Sequence, residues 1–249
     1  VAITVAQVVA PDGHGAATAA AAEVLRDAAA TARGGPPVKA GAYSYTIELM
    51  VQLGSDRRKC RETWLRRDGS MAAGGAYEER PGTRCDPKRP PSFLPSLGPR
   101  DDDRPHADVR TLPTDPSALR ERLYSDAAHG RGQNPDDKGP RDQLVFNRIG
   151  RLLLMTAPPA LRAALFQTLA TIPGVDVVRG EKDALGRQGI ALARSFGEAA
   201  NPTRVEIILA PGTYRYLGTK AVNGIGEGLE TNLTALVHTA AVARPFQRS

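Results

Sequence analysis

The chain is poor in the residues on which most legible chemistry depends. Of its 249 residues two are cysteine, four are histidine and one is tryptophan, and aromatics amount to 5%. His14, His106, His129 and His238 stand apart from one another. No His or Cys pair has metal-ligand spacing, so neither a metal nor an organic cofactor is expected. There is no G-x-S-x-G nucleophile elbow. Helix-turn-helix, zinc-finger and RNP-like patterns are missing too, which removes nucleic acid from the expected partners. Long apolar runs are also lacking. The opening VAITVAQVV has nine residues, whereas a bilayer span needs about 20.

What is present describes a globular protein. Hydrophobic residues make up 41% of the chain, enough for an ordinary core. Net charge is +6, and the pI is about 9.6. That balance favours anionic partners, including an anionic membrane surface, although general solubility is the plainer reading. Cys60 and Cys85 form an isolated even pair. They fit one disulfide in an oxidising compartment, with two free thiols as the alternative. Residues 1–15 read as an anchor remnant or linker, or as a first strand, ahead of a single α+β domain over residues 16–249.

Residues 16–33 predict an Ala-rich helix stopped by Gly34-Gly35-Pro36-Pro37. Residues 43–49 alternate apolar and polar, as a half-buried strand does. In the next strand, residues 58–67, Cys60, Glu62 and Trp64 fall on one face and Arg61, Thr63 and Leu65 on the other. Asp68-Gly69 predicts a hairpin turn into short strands at 70–73 and 76–79. Residues 80–113 read as a long loop, and Asp101-Asp102-Asp103 within it as a solvated acidic run. Thr114-Asp115-Pro116 marks a helix start. Residues 142–172 predict two apolar helices broken at Pro158-Pro159. Strands follow at 175–182, 188–194, 204–209, 215–222 and 230–242. Helices set among consecutive antiparallel strands indicate the α+β class. Gly224-Ile225-Gly226-Glu227-Gly228 reads as a hairpin connection, because a dinucleotide loop would need a helix after it. Arg57, Arg58, Lys59, Arg61, Arg66 and Arg67 form a basic run around Trp64. It reads either as a patch for an anionic surface or, preferably, as a solvated strand whose Trp packs inward.

The segments AAEVLRDAAATA, ETWLRRDG, LPTDPSALRERL, APPALRAALFQTLATIPGVDVVRGEKDALGRQGIALAR and GTYRYLGTKAV occur in that order. Together they resemble an actinobacterial family of uncharacterised membrane-anchored proteins, over roughly residues 16–243. The resemblance implies an extracytoplasmic domain, membrane-anchored in the full-length protein. It also implies a fold similar to the lipoprotein-carrier half-barrel: a curved antiparallel sheet with helices packed on its concave face. It supplies no catalytic residue.

The resulting expectation is a non-enzymatic binding or sensing domain for a hydrophobic small molecule or lipid. Tyr45, Trp64, Phe146, Met155, Leu165 and Phe166 are the expected lining of its cavity. One alternative is a cofactor-free cyclase or isomerase using Glu48, Glu62 or Tyr43 as acid or base. Another is an interaction domain with no small ligand. A buried carboxylate facing the cavity would favour the enzyme; a filled, wholly apolar interior would favour the interaction domain.

Overall fold

A computed structural model describes residues 16–36, 42–55, 57–67, 71–78, 85–86, 96–97, 109, 111–130, 139–155, 157–198, 202–225 and 228–248. The expected anchor or linker at 1–15, the Asp68-Gly69 turn, Asp101-Asp102-Asp103, His14 and His106 lie outside them. The described residues form four helices and nine strands: α1 (Ala19–Arg33), β1 (Tyr43–Gln52), β2 (Arg58–Arg66), β3 (Met71–Glu78), β4 (Ser96–Leu97), α2 (Pro116–Ala128), α3 (Arg141–Leu154), α4 (Pro159–Leu169), β5 (Asp176–Lys182), β6 (Gln188–Phe196), β7 (Thr203–Leu209), β8 (Tyr216–Ile225) and β9 (Gly228–Val242). This is the α+β class, with one open antiparallel sheet in the order β4-β3-β2-β1-β9-β8-β7-β6-β5. No helix among the described residues is long and apolar enough to cross a membrane.

Local chemistry sets the helix ends. Thr18 caps α1 by accepting from the Ala21 amide, and Asp115 caps α2 by accepting from Ala118, with Pro116 in the first turn. Both caps satisfy amides that a helix leaves unpaired. The helical pair breaks earlier than the double proline suggests. α3 ends at Leu154, Met155 is already extended, and Pro159 opens α4. A residue before proline is pushed out of the helical region, and proline is tolerated in the first turn. The two short strands expected at 70–79 are a single strand, β3.

The sheet is two meanders joined by one pairing. β1 to β4 run consecutively, as do β5 to β9, and β9 lies antiparallel beside β1. β8 and β9 pair as far as Ile225 opposite Gly228; Gly226 and Glu227 of the expected hairpin connection lie outside the described residues. The helices pack on one sheet face. There Leu25, Leu119, Phe146, Leu165 and Phe166 share a core with Leu65, Ile190, Leu192, Ile207 and Leu209. The opposite face carries a second cluster of Tyr45, Ile47, Leu49, Cys60, Trp64, Ala235 and Val242. The alternation expected along β2 therefore holds: Cys60 and Trp64 face one side, Leu65 the other.

Cys60 and Cys85 are disulfide-bonded, with Cα atoms 5.6 Å apart and a sequence separation of 25. In the chain-entropy account, closing a loop of that size stabilises the fold by roughly 3–4 kcal/mol. The Cys60→Ala/Cys85→Ala double variant should lose about that much in urea denaturation. Thiol titration of the unreduced, denatured wild type should detect no free thiol.

Candidate functional site

Between α3 and the helix-facing side of the sheet lies a cavity of about 300 Å³. Asn147, Gly150, Arg151 and Leu154 of α3 form one wall. Their spacing of three and four residues puts them on one helix face. The facing wall combines Thr46 and Glu48 (β1), Arg61, Thr63 and Leu65 (β2), Met71 (β3), Val205 and Ile207 (β7), and Tyr216 and Thr219 (β8). Gly150 sets how closely the two walls approach. A Cβ there would lie 3.1 Å from the Ile207 Cδ1, so a larger residue would have to push the Ile207 side chain aside by a few tenths of an ångström.

Ladder irregularities converge on this wall. Four strand pairs show register shifts, three of them at Ile47/Glu48, Trp64/Leu65 and opposite Tyr216 at Ile208/Leu209. Glu48, Leu65 and Tyr216 all line the cavity. A bulge inserts an extra residue and re-aims the side chains beside it; here the extra residues are Ala72 in β3, Leu217 in β8 and Val237 in β9, so Met71 and Tyr216 turn to the cavity out of strict alternation, while Thr46 and Glu48 of β1 and Arg61, Thr63 and Leu65 of β2 reach it by alternation alone. Near Tyr216 the β8–β9 ladder also stops short. The Thr219 amide donates to the Thr234 hydroxyl. Arg187, held by Asp183, donates to the carbonyls of Leu217 and Leu236. A side-chain guanidinium thus satisfies the carbonyls where the strands part.

The cavity's polar centre is a cross-strand ion pair. Glu48 stands directly opposite Arg61 in the β1–β2 register, and Arg61 Nη2 donates to Glu48 Oε2 at 2.7 Å. The Glu48 side chain is 3% exposed and that of Arg61 is 44% exposed. One partner is buried and the other reaches the opening. The Glu48 carboxylate holds the Arg61 guanidinium above its ordinary range. Burial, and then Glu48, push the Tyr216 hydroxyl well above the ordinary phenol range. Tyr216 therefore stays protonated and can donate to a ligand. Beside these polar groups, Leu65, Leu154, Val205 and Ile207 supply apolar surface.

The residues expected from sequence to line a cavity lie elsewhere. Phe146, Met155, Leu165 and Phe166 are brought together, but as members of the main helical core. Tyr45 and Trp64 stack at 4.9 Å on the opposite sheet face. None of the six is among the lining of this cavity. Of the acid–base candidates, only Glu48 faces it. Tyr43 packs against the opposite-face cluster, and Glu62 is buried on that side, accepting from Arg248 at 3.0 Å. The basic run divides likewise. Lys59 pairs with Glu78 at 3.6 Å and Arg61 with Glu48, while Trp64 is fully buried and donates to the Gln247 carbonyl. The inward-packed Trp is the reading that holds. Thr46, Thr63, Gly150 and Thr219 were missed. Small and polar, they carry no sequence signal until the sheet brings them together.

No family model, no curated protein and no solved structure matches the chain. The site is therefore read from its own geometry.

A second buried acid lies away from the cavity. Glu206 is 2% exposed. It accepts from Arg204 Nε at 2.7 Å and stands opposite Lys220, which is itself paired with Glu181. Burial raises its carboxyl above the ordinary value, against the opposing pull of Arg204 and Lys220. A carboxyl raised in the folded state contributes stability at low pH. That contribution is lost as pH climbs from the unfolded value of about 4.3 through the folded one. Glu206→Gln, which removes the charge but keeps the acceptor, should raise the urea midpoint at about pH 8. The gain should shrink toward zero near pH 4. A gain independent of pH would show that burial of the charge is not its source.

Proposed function

We propose that this protein is a binding or sensing domain for a hydrophobic or lipid-like molecule that carries a polar end. The observation that carries the reading is the α3–sheet cavity, where apolar side chains meet an ion pair with one buried partner. At about 300 Å³ it is at the lower end of small-molecule sites, which run from roughly 300 to 1,000 Å³. A wholly apolar, filled interior, the mark expected of a pure interaction domain, is not what lies under α3. In this reading the sheet is a curved half-barrel, and the helices sit in its hollow, as the resemblance to lipoprotein carriers implies. The Cys60–Cys85 bridge supports an extracytoplasmic setting, since disulfides persist in oxidising compartments.

A second reading has one specific observation in its favour. Glu48 is a buried carboxylate facing the cavity beside the protonated Tyr216, a pairing that a cofactor-free isomerase or cyclase could use for proton transfer. Binding is preferred because the Arg61 contact keeps Glu48 engaged as an acceptor.

Native mass spectrometry and lipid extraction of protein purified from its own host test the reading directly. The folded protein should carry, or take up, an apolar molecule, and should bind an environment-sensitive apolar dye. Val205 is half-buried on the cavity wall, so Val205→Trp should fill the space with little loss of stability and weaken dye binding about tenfold or more. Folded protein that binds no dye and no lipid across a broad panel would overturn the proposal and put the interaction domain first. Turnover of a bound molecule that Glu48→Gln abolishes would put the enzyme first.

A further inference from the structure

Resting on that binding reading, we infer that the cavity takes a medium-chain amphiphile headed by a carboxylate, and that Arg61 receives the carboxylate. A guanidinium has five N–H donors arranged in a planar fork. Among the described residues, Arg61 has one hydrogen-bond partner, the Glu48 carboxylate at 2.7 Å. Donors therefore remain at the open end of the cavity for a second oxyanion. The fork suits such an acceptor because it can bind both carboxylate oxygens at once.

The charge of the lining points the same way. The acid of the lining, Glu48, is already engaged by Arg61, and the other charged lining residue, Arg151, is cationic. The remaining polar lining residues, among them Tyr216, Asn147 and Thr219, are neutral. A cationic ligand would meet the solvent-facing side of the Arg61 guanidinium; an anionic one would meet its remaining donors. Glu48 cannot leave the pair cheaply, since its side chain is 3% exposed and an isolated buried carboxylate is costly. It holds the Arg61 head at the mouth. The apolar end of the ligand would then lie along Leu65, Leu154, Val205 and Ile207. The volume of about 300 Å³ lies at the lower end of small-molecule sites, which run from roughly 300 to 1,000 Å³, and so suits a medium-chain rather than a long-chain amphiphile.

The test is isothermal titration of the full chain at low salt with octanoate, octanol and acetate. Octanoate should bind about tenfold or more tighter than octanol, the margin expected of a hydrogen bond to a charged group. Acetate, which lacks the chain, should not saturate. Arg61→Gln should abolish the preference for octanoate over octanol. Because that variant strands a buried Glu48, the double variant Glu48→Gln/Arg61→Gln should be measured beside it, and should show the same loss of preference. Glu48→Gln alone keeps an acceptor for Arg61 while removing the competing charge, so it should tighten octanoate and not octanol.

Equal affinity for octanoate and octanol would overturn the carboxylate inference while leaving the binding reading intact. So would a preference that survives in the folded double variant, or acetate binding as tightly as octanoate. If folded wild type binds neither octanoate nor octanol, or Val205→Trp changes neither affinity, the binding reading fails and takes this inference with it.

Discussion

The pairing of β9 with β1 is the constraint on which both faces of the molecule depend. It joins two meanders that are each contiguous in sequence, and it runs from Tyr43 opposite Val242 to Gln52 opposite Asn232. Along a strand, side chains alternate strictly, so a register error of one residue would send each to the wrong face. Here the ladder moves from Ile47↔His238 to Glu48↔Leu236, leaving Val237 without a partner in β1. That extra residue lets His238 lie against Tyr45 on one face while Leu236 joins the helical core on the other. Without the bulge one of the two would be misplaced, and Glu48 stands directly beside it.

β2 shows how the sheet manages charge in its interior. Arg61 and Glu62 are adjacent and point to opposite sides. Arg61 meets Glu48 in the cavity; Glu62, fully buried, meets Arg248 from the chain's last segment. Charges this far from water persist only when paired, and breaking such a pair costs more than it contributed. On the second face the segment that supplies Arg248 also covers Trp64, with Phe246 at 5.6 Å and the Gln247 carbonyl accepting the indole N–H. The same strand thus serves a sealed aromatic core on one side and a polar, accessible cavity on the other. That division is why Trp64, the most conspicuous side chain of the strand, takes no part in the cavity.

Much of the secondary structure was legible. The Asp115 cap, the alternation along β1 and β2 and the antiparallel pairing of β8 with β9 all follow from residue chemistry acting over a few positions. The cysteine pair fitted a bridge because no other ligand competed for it. The cavity was not legible, and the reason is physical. Large apolar side chains are the strongest sequence signal, yet the best packed of them, such as Phe146 and Phe166, fill space and leave none to line. Vacant volume arises where residues are small or polar, as at Gly150, Thr46 and Thr63, and such residues look unremarkable one at a time.

By itself, then, the sequence determined the α+β class, the alternation along β1 and β2 and the Asp115 start of α2, because those depend on local periodicity and composition. Only the tertiary structure decided that β9 sits beside β1, that three bulges meet under α3, and that Glu48 finds Arg61 rather than Glu62 finding the cavity. Those outcomes rest on contacts between residues far apart in the chain. Their free energy comes from burial and charge pairing that exist only once the sheet has closed its two halves together.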